Sequence, residues 1–337
     1  MNRVRLFRAL ALASVVLCAI VVVLGAYVRL TAAGLGCPDW PTCYGHVTAG
    51  AALENQDSVN AAFPDRPIEY GKALREMVHR YAAASLGVLI VLMTALAWVR
   101  RGTDNLPQRL PWVLLTVVLL QGALGMLTVT WLLKPLIVTL HLLGGLTTLA
   151  LLWWLWLRPE KRELHASESV LRRLAVAGIA VLVLQIALGG WTSSNYAAVA
   201  CPDFPTCQGA WWPEMQFREA FVLWRGLGID YEGGVLDHPA RVAVHFTHRL
   251  GAIVTAIGLA TVALLTVRRA RSRQLRNAGI AVLAALGVQI LLGVGTVMHG
   301  YPLALATAHN AGAAALLLSV VTLIRNLWPS NDESRHR

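Results

Sequence analysis

Charge is what this sequence has least of. Of its 337 residues 14% are Asp, Glu, Lys or Arg, and only 18 are acids. A soluble domain of this size needs more polar surface than that supplies, and the mean hydropathy of +0.57 points the same way. The five cysteines include no C-x2-C pair, so the usual spacing of a structural zinc site is missing. No proline falls inside a long apolar block, so the broken helices that mark many transporter sites have no signature here.

What is present is hydrocarbon in long runs. Apolar blocks fall at 9–28, 81–99, 112–133, 136–157, 174–193, 242–267, 278–298 and 303–324. Each is about the 20 residues that a bilayer crossing requires. Lipid offers no partner to a backbone N–H or C=O, so each block is expected to be helical. The first block follows a basic start, as in a secretory signal, but it is longer than a signal's apolar region and is read as the first spanning helix.

The net charge of +11 is unevenly placed. Basic clusters occur at Arg3/Arg5/Arg8, Arg100/Arg101/Arg109, Arg158/Lys161/Arg162/Arg172/Arg173, Arg268/Arg269/Arg271/Arg273/Arg276 and Arg325/Arg335/Arg337. These are the two ends and every second loop. That is the positive-inside pattern with both termini cytoplasmic, and it argues against a nucleic-acid surface. The acids Asp57, Glu69, Glu219 and Asp237 fall in the other loops.

The chain also repeats itself. CPDWPTC at 37–43 returns as CPDFPTC at 201–207, an offset of 164. EMVHR (76–80) matches HFTHR (245–249) at offset 169. QGALG (121–125) matches QILLG (289–293), and His141 matches His309, both at offset 168. Insertions between these landmarks fall in loops, where they are tolerated. The expected fold is therefore an all-α integral membrane protein of eight transmembrane helices. It is read as two tandem four-helix bundles related by a pseudo-two-fold along the membrane normal. The first bundle is placed at 1–158, a cytoplasmic linker at 159–171, the second bundle at 172–327 and a cytoplasmic tail at 328–337. The equivalent outer loops 31–72 and 195–238 are long enough to hold short helical or turn segments.

Four cysteines form two C-x5-C pairs in those outer loops. Prolines 38, 41, 202 and 205 bend each loop, and the outer side of a bacterial plasma membrane is oxidising. Cys37–Cys43 and Cys201–Cys207 are read as disulfides, with a four-cysteine zinc site as the competing reading. Cys18 is read as packing within the first helix.

Four histidines recur at equivalent depths: His79, His141, His248 and His309, each one to two turns from the outer end of helices 2, 4, 6 and 8. Titratable groups in a bilayer are costly, and four at one level are hard to explain as core residues. Two imidazoles on facing helices suit the axial positions of a haem iron better than a four-ligand zinc site. The pairs are His79 with His141 and His248 with His309. Arg80 and Arg249 each follow a ligand and could meet a haem propionate, or could snorkel to the interface. Glycines 125, 144, 145, 189, 190, 293 and 295 allow close approach of helices or of a porphyrin. The copies differ at one telling place. Glu76, three residues before His79 on the same helix face, is His245 in the second copy. A carboxylate there could move a proton or stabilise positive charge on a substrate. A plain exposed helix-start glutamate is the alternative, and the role of His245 is left open.

Taken together, the doubled four-helix unit, EMVHR, the four histidines and the outer C-x5-C loop resemble the haem A synthase family over about residues 10–325. The resemblance implies an oxidoreductase acting on a CH or CH2 group, converting the C8 methyl of haem O to the formyl of haem A for terminal oxidases. It implies haem O as substrate on the iron ligands His79 and His141, with Glu76 catalytic. It also implies a resident haem b on His248 and His309, and a multi-pass protein of the bacterial inner membrane. A quinol as electron donor and the farnesyltransferase that makes haem O are the expected partners, and a homo-oligomer is compatible with the pattern. The paired cysteines of the second loop are not universal in the family. Two rivals remain open on residues alone: a di-haem b-type electron-transfer protein, and a transporter built from the same duplication.

Overall fold

The computed structural model describes residues 3–99, 106–157 and 166–328. Within them the protein is all-α, with isolated β-bridges only. Eight helices are long and apolar enough to cross a membrane, which makes this a multi-pass membrane protein. They are α1 (Arg3–Leu30), α4 (Tyr70–Val99), α5 (Arg109–Thr130), α6 (Pro135–Trp156), α7 (Ala166–Ser194), α9 (His238–Arg269), α10 (Arg273–Met298) and α11 (Leu303–Asn326). The loop after α1 contains α2 (Ala49–Glu54) and α3 (Gln56–Ala62). The loop after α7 contains a 3-10 turn (Ala198–Ala200) and α8 (Phe217–Ala220), so both cysteine-bearing loops hold the short helical pieces expected of them.

The apolar blocks locate the spans but understate two of them. α4 begins at Tyr70, and its first turns carry Lys72, Arg75 and Glu76; α9 likewise begins at His238. Polar residues hide these turns from a hydropathy reading. The consequence is that His79 stands nine residues after the start of α4 and His248 ten after the start of α9, deeper than the one to two turns expected. Pro135 and Pro239 stand in the first turns of α6 and α9, where proline's missing N–H costs nothing. Much of the charged segment between the two copies, 158–165, lies outside the described residues, as do Arg100, Arg101 and the tail from 329 onward.

Helices of the first copy close a ring: α1 packs on α4, α4 on α5, α5 on α6, and α6 back on α1. The second copy does the same with α7, α9, α10 and α11. The copies meet where α6 touches α7, α11 touches α1, and α6 touches α11. The main core runs through all eight helices, including Cys18, Ile90, Met93, Leu114, Leu149, Leu182, Leu259, Val282 and Leu317. Every residue in it lies on the far side of the histidines from the cysteine loops. Tight side-chain packing thus occupies one end of the helices, and the histidines occupy the other.

Between the copies, the loops are tied as well. Arg66 pairs with Asp230 at 2.6 Å and with Glu232 at 3.4 Å. Arg29 donates to the Ser193 carbonyl at 2.6 Å and lies over the Tyr196 ring. Lys134, fully buried, donates to the Gly226 carbonyl and sits against Trp224.

Candidate functional site

Each of the four histidines lies in a notch made by a glycine on a neighbouring helix. A Cβ added to Gly25 of α1 would come within 2.9 Å of the His79 ring on α4. The same atom on Gly125 would be 3.4 Å from His141, on Gly189 3.1 Å from His248, and on Gly293 2.9 Å from His309. The arrangement occurs four times, once per helix pair, and it explains why glycine stands at these places. The His79 and His141 rings are 6.5 Å apart between centroids and nearly perpendicular, at 83°. All four rings are half-buried, and Nδ1 of His79, His141 and His309 has no hydrogen-bond partner.

These residues fit a bis-imidazole haem. A metal–nitrogen bond of about 2 Å on each side, plus about 1 Å from nitrogen to ring centre, separates two axial ring centroids by roughly 6 Å. His79 and His141 meet that spacing as they stand. His248 and His309 sit in matching glycine notches, against Gly189 and Gly293. Among the described residues no group of three or more His, Cys, Asp or Glu is placed to hold a bare metal ion.

The two cysteine loops are built alike. Cys37–Cys43 and Cys201–Cys207 are disulfides, which uses the four thiols that a zinc site would need. Inside each, one aspartate organises the turn. Asp39 accepts from Thr42 Oγ1 at 2.5 Å and from the backbone N–H groups of Tyr44 and Gly45 at 2.5 and 2.8 Å. Asp203 does the same for Thr206, Gln208 and Gly209. Gly45 and Gly209 have φ of +78° and +74°, a conformation that favours glycine. Both loops contain a cis peptide before the second proline, at Pro41 and Pro205. The Asp and Thr of the repeated motif, with the glycine two residues beyond it, therefore serve a shared turn.

Arginine fastens each loop to the helix below it. Arg80 donates to the carbonyls of Thr42 at 2.8 Å and Asp39 at 3.0 Å. Arg249 donates to those of Thr206, Cys201 and Asp203 at 2.7, 2.9 and 2.8 Å. The planar fork of guanidinium suits several carbonyls at once. This is a second task for both residues beside the propionate contact expected of them.

Glu76 and His245 occupy matching places with different partners. Glu76 is 4% exposed, which excludes the plain surface glutamate at a helix start. Its Oε2 accepts the Cys37 backbone N–H at 2.9 Å, and its Oε1 pairs with Arg80 at 2.5 Å. The approach needs Gly36, whose added Cβ would be 2.5 Å from the Lys72 backbone. His245 is equally buried, accepts from Arg249 Nε at 3.3 Å, and has no partner at Nδ1. So one copy holds a buried carboxylate beside its histidines and the other an imidazole. Tyr301, from the turn before α11, adds to the second site by donating to the Cys201 carbonyl at 2.7 Å; burial pushes its phenol up to about 12. Nothing in the sequence pattern marks Tyr301.

Eight spanning helices, with two pairs of histidines seated in glycine notches, define a multi-pass membrane protein. The chain belongs to the COX15-CtaA family of cytochrome oxidase assembly proteins, whose model matches residues 8–321. It is 42% identical over 318 residues to a haem A synthase of Shewanella oneidensis, covering 94% of each chain. It is 30% identical over 334 residues to a haem A synthase of Rhizorhabdus wittichii, covering 93% of this chain and 91% of that one. A third haem A synthase, from Rhodopseudomonas palustris, is 27% identical over 340 residues.

Proposed function

We propose that the protein is a haem A synthase, an oxidoreductase that converts the C8 methyl of haem O to the formyl group of haem A. The observation that carries the reading beyond family membership is the difference between the copies. Glu76, buried and held by Cys37 and Arg80, stands three residues before His79, while the second copy has His245 in that place.

The N-terminal unit, 1–158, takes the substrate. Haem O lies between His79 and His141, with its iron on both imidazoles and its farnesyl tail in the bilayer. Glu76 faces the methyl to be oxidised, accepting a proton or stabilising positive charge as it develops. In the C-terminal unit, 172–327, His248 and His309 would hold the resident haem b, which would supply one-electron transfer when bound. Arg80 and Arg249 hold the loops over the outer edge of each site and are close enough to the surface to steady propionates. The two units are tandem four-helix bundles related by a pseudo-two-fold along the membrane normal. Matched rings of helix contacts, and the matched contacts of α6 with α7 and α11 with α1, support that symmetry.

Charge distribution supports a bacterial inner-membrane protein with cytoplasmic termini and periplasmic cysteine loops. The 159–171 segment is then a cytoplasmic linker and 328–337 a cytoplasmic tail. A quinol is the proposed electron source and dioxygen the proposed oxidant. Each of two hydroxylations of the methyl takes one O2, two electrons and two protons and releases one water, and the resulting hydrated aldehyde loses water to give the formyl group. The farnesyltransferase that makes haem O is the proposed upstream partner. Extracting pigment from protein purified out of haem O-producing cells tests the reading. Haem b together with haem O or haem A is expected, and haem b alone would instead fit an electron-transfer protein.

A further inference from the structure

Three of the four histidines share a feature that the fourth lacks. On α5, α7 and α10 a glutamine stands four residues before the notch glycine: Gln121 before Gly125, Gln185 before Gly189, Gln289 before Gly293. On the partner helices a second glycine stands three residues after the histidine: Gly144, Gly251 and Gly312. The two features meet. The amide oxygen of each glutamine fills the space where a Cβ on the second glycine would be, closer than any real side chain could approach. From there the amide nitrogen reaches the histidine. Gln121 donates to the His141 carbonyl at 2.7 Å. Gln185 meets His248 at both its carbonyl and Nδ1, each at 3.0 Å. Gln289 lies 3.4 Å from His309 Nε2.

At His79 the pattern stops. The residue four before Gly25 is Val21, and the residue three after His79 is Ala82. Val21 has no side-chain donor. Its backbone meets the His79 ring as the backbone of Gln121 and Gln289 meets His141 and His309, and Nδ1 is unpartnered in all three, so what His79 lacks is the side-chain amide and the glycine that admits it. Both halves of the clamp are therefore missing together, on two different helices.

We infer that the glutamine–glycine clamps hold His141, His248 and His309 in place, and that the unclamped His79 is the ligand that yields when a porphyrin enters or leaves. The inference rests on the proposed haem sites. It accounts for how one duplicated unit retains its haem while the other must exchange substrate for product. The retaining site has a clamp on each histidine, and the exchanging site has one clamped and one unclamped. Hydrogen-bond partners behind a metal-bound histidine fix its orientation, and their loss costs about 10–100-fold in metal affinity. Gln185 meets the His248 ring at Nδ1 in this way, while Gln121 holds His141 through its backbone carbonyl. Val21 and Ala82 act as positioning residues by what they omit, since neither offers a group to the iron.

The test transfers bound haem from the purified protein to excess apomyoglobin and follows the absorption. Wild type is expected to release haem in a fast phase from the N-terminal site and a slow phase from the C-terminal one. Val21→Gln with Ala82→Gly should slow the fast phase by about tenfold and leave the slow phase alone. Val21→Gln without the glycine should not, because the amide has no notch. Gln185→Leu should speed the slow phase by about tenfold, leave the fast phase alone, and shift the low-spin electron paramagnetic resonance signal of haem b. That arm decides the matter if the double variant fails to fold. A double variant that folds but releases at the wild-type rate overturns the inference, as does a Gln185→Leu protein with unchanged rates and signal. In both cases the haem sites stand. Wild-type protein that binds no haem would instead overturn the proposed function, and this inference with it.

Discussion

The backbone N–H of Cys37 donates to Glu76 Oε2 at 2.9 Å, across 39 residues of chain. This one bond couples the disulfide loop to the helix that carries His79. Arg80, one turn on from Glu76, closes the circuit by binding both the carboxylate and the loop carbonyls. The carboxylate is thus fixed from two sides, at the edge of the His79–His141 site.

Replacing Glu76 by Ala should lower haem O conversion by about 10²–10⁴-fold, the usual range for a lost acid–base group. Haem b content should be unchanged, because His248 and His309 lie in the other copy. Glu76→Gln keeps an oxygen for the Cys37 N–H but loses the charge facing Arg80. A deficit as deep as that of Glu76→Ala would assign the effect to charge, not to loop position. Chromatography of extracted haems gives both quantities, and full conversion by the Ala variant would refute the catalytic assignment.

The glycine notches predict a graded series. Gly293→Ala would bring a methyl within 2.9 Å of His309, which forces the ring to move, whereas Gly125→Ala leaves 3.4 Å to His141, ordinary contact. Haem b should fall sharply in Gly293→Ala. Substrate-haem binding should fall much less in Gly125→Ala than in Gly25→Ala, where the gap is again 2.9 Å. Equal losses in Gly25→Ala and Gly125→Ala would contradict the notch account.

The second cysteine loop offers a stability test. Replacing Cys201 and Cys207 by Ser frees a short loop and should cost about 2 kcal/mol by the chain-entropy argument. Arg249→Ala removes three carbonyl contacts from a charged donor, each worth about 1.5–3 kcal/mol when buried. The arginine variant should therefore be the less stable of the two. Amide exchange across 201–209 during denaturation in detergent reports on this loop. A cysteine variant less stable than Arg249→Ala would reverse the ranking.

Acid should loosen the same loop late. The Thr206 hydroxyl, with the backbone N–H groups of Gly209 and Gln208, lowers the Asp203 carboxyl from 3.8 to about 2. A carboxylate favoured in the fold stabilises it fully above its unfolded pKa and stops doing so as pH falls through its folded one. The support from Asp203 is then complete above pH 3.8 and disappears towards pH 2. Amide exchange at Gln208 and Gly209, corrected for intrinsic rates, should show protection unchanged between pH 7 and pH 4 and falling below that. In Asp203→Asn the protection should be low throughout. Loss of wild-type protection already at pH 5 would contradict the assignment.

Much of this could be read from residues alone, for reasons that differ by element. The eight spans were legible because hydrocarbon demands continuous apolar runs, and the duplicate landmarks because they keep near-constant offsets. The disulfides were legible because proline-bent C-x5-C loops, with no C-x2-C spacing for zinc, have few other uses. The first turns of α4 and α9 were not, since Lys72, Arg75 and Arg241 interrupt hydropathy while remaining helical. The tasks of Asp39, Asp203 and Arg80 depend on backbone carbonyls and N–H groups, which leave no trace in side-chain patterns. Gln121 and Gln289 were visible as repeat landmarks, but their pairing with Gly144 and Gly312 crosses between helices. Comparing Q-x3-G and H-x2-G in all four helix pairs was the signal that could have found it, and it would also have exposed Val21 and Ala82.

Haem analysis of four single variants tests the central claim most directly. His79→Ala, His141→Ala, His248→Ala and His309→Ala should be purified from haem O-producing cells and their pigments measured as pyridine haemochromes per protein. Two classes are predicted: the first pair should lose haem O and haem A while keeping haem b, and the second pair should lose haem b. Four variants with the same haem content as wild type would contradict the account.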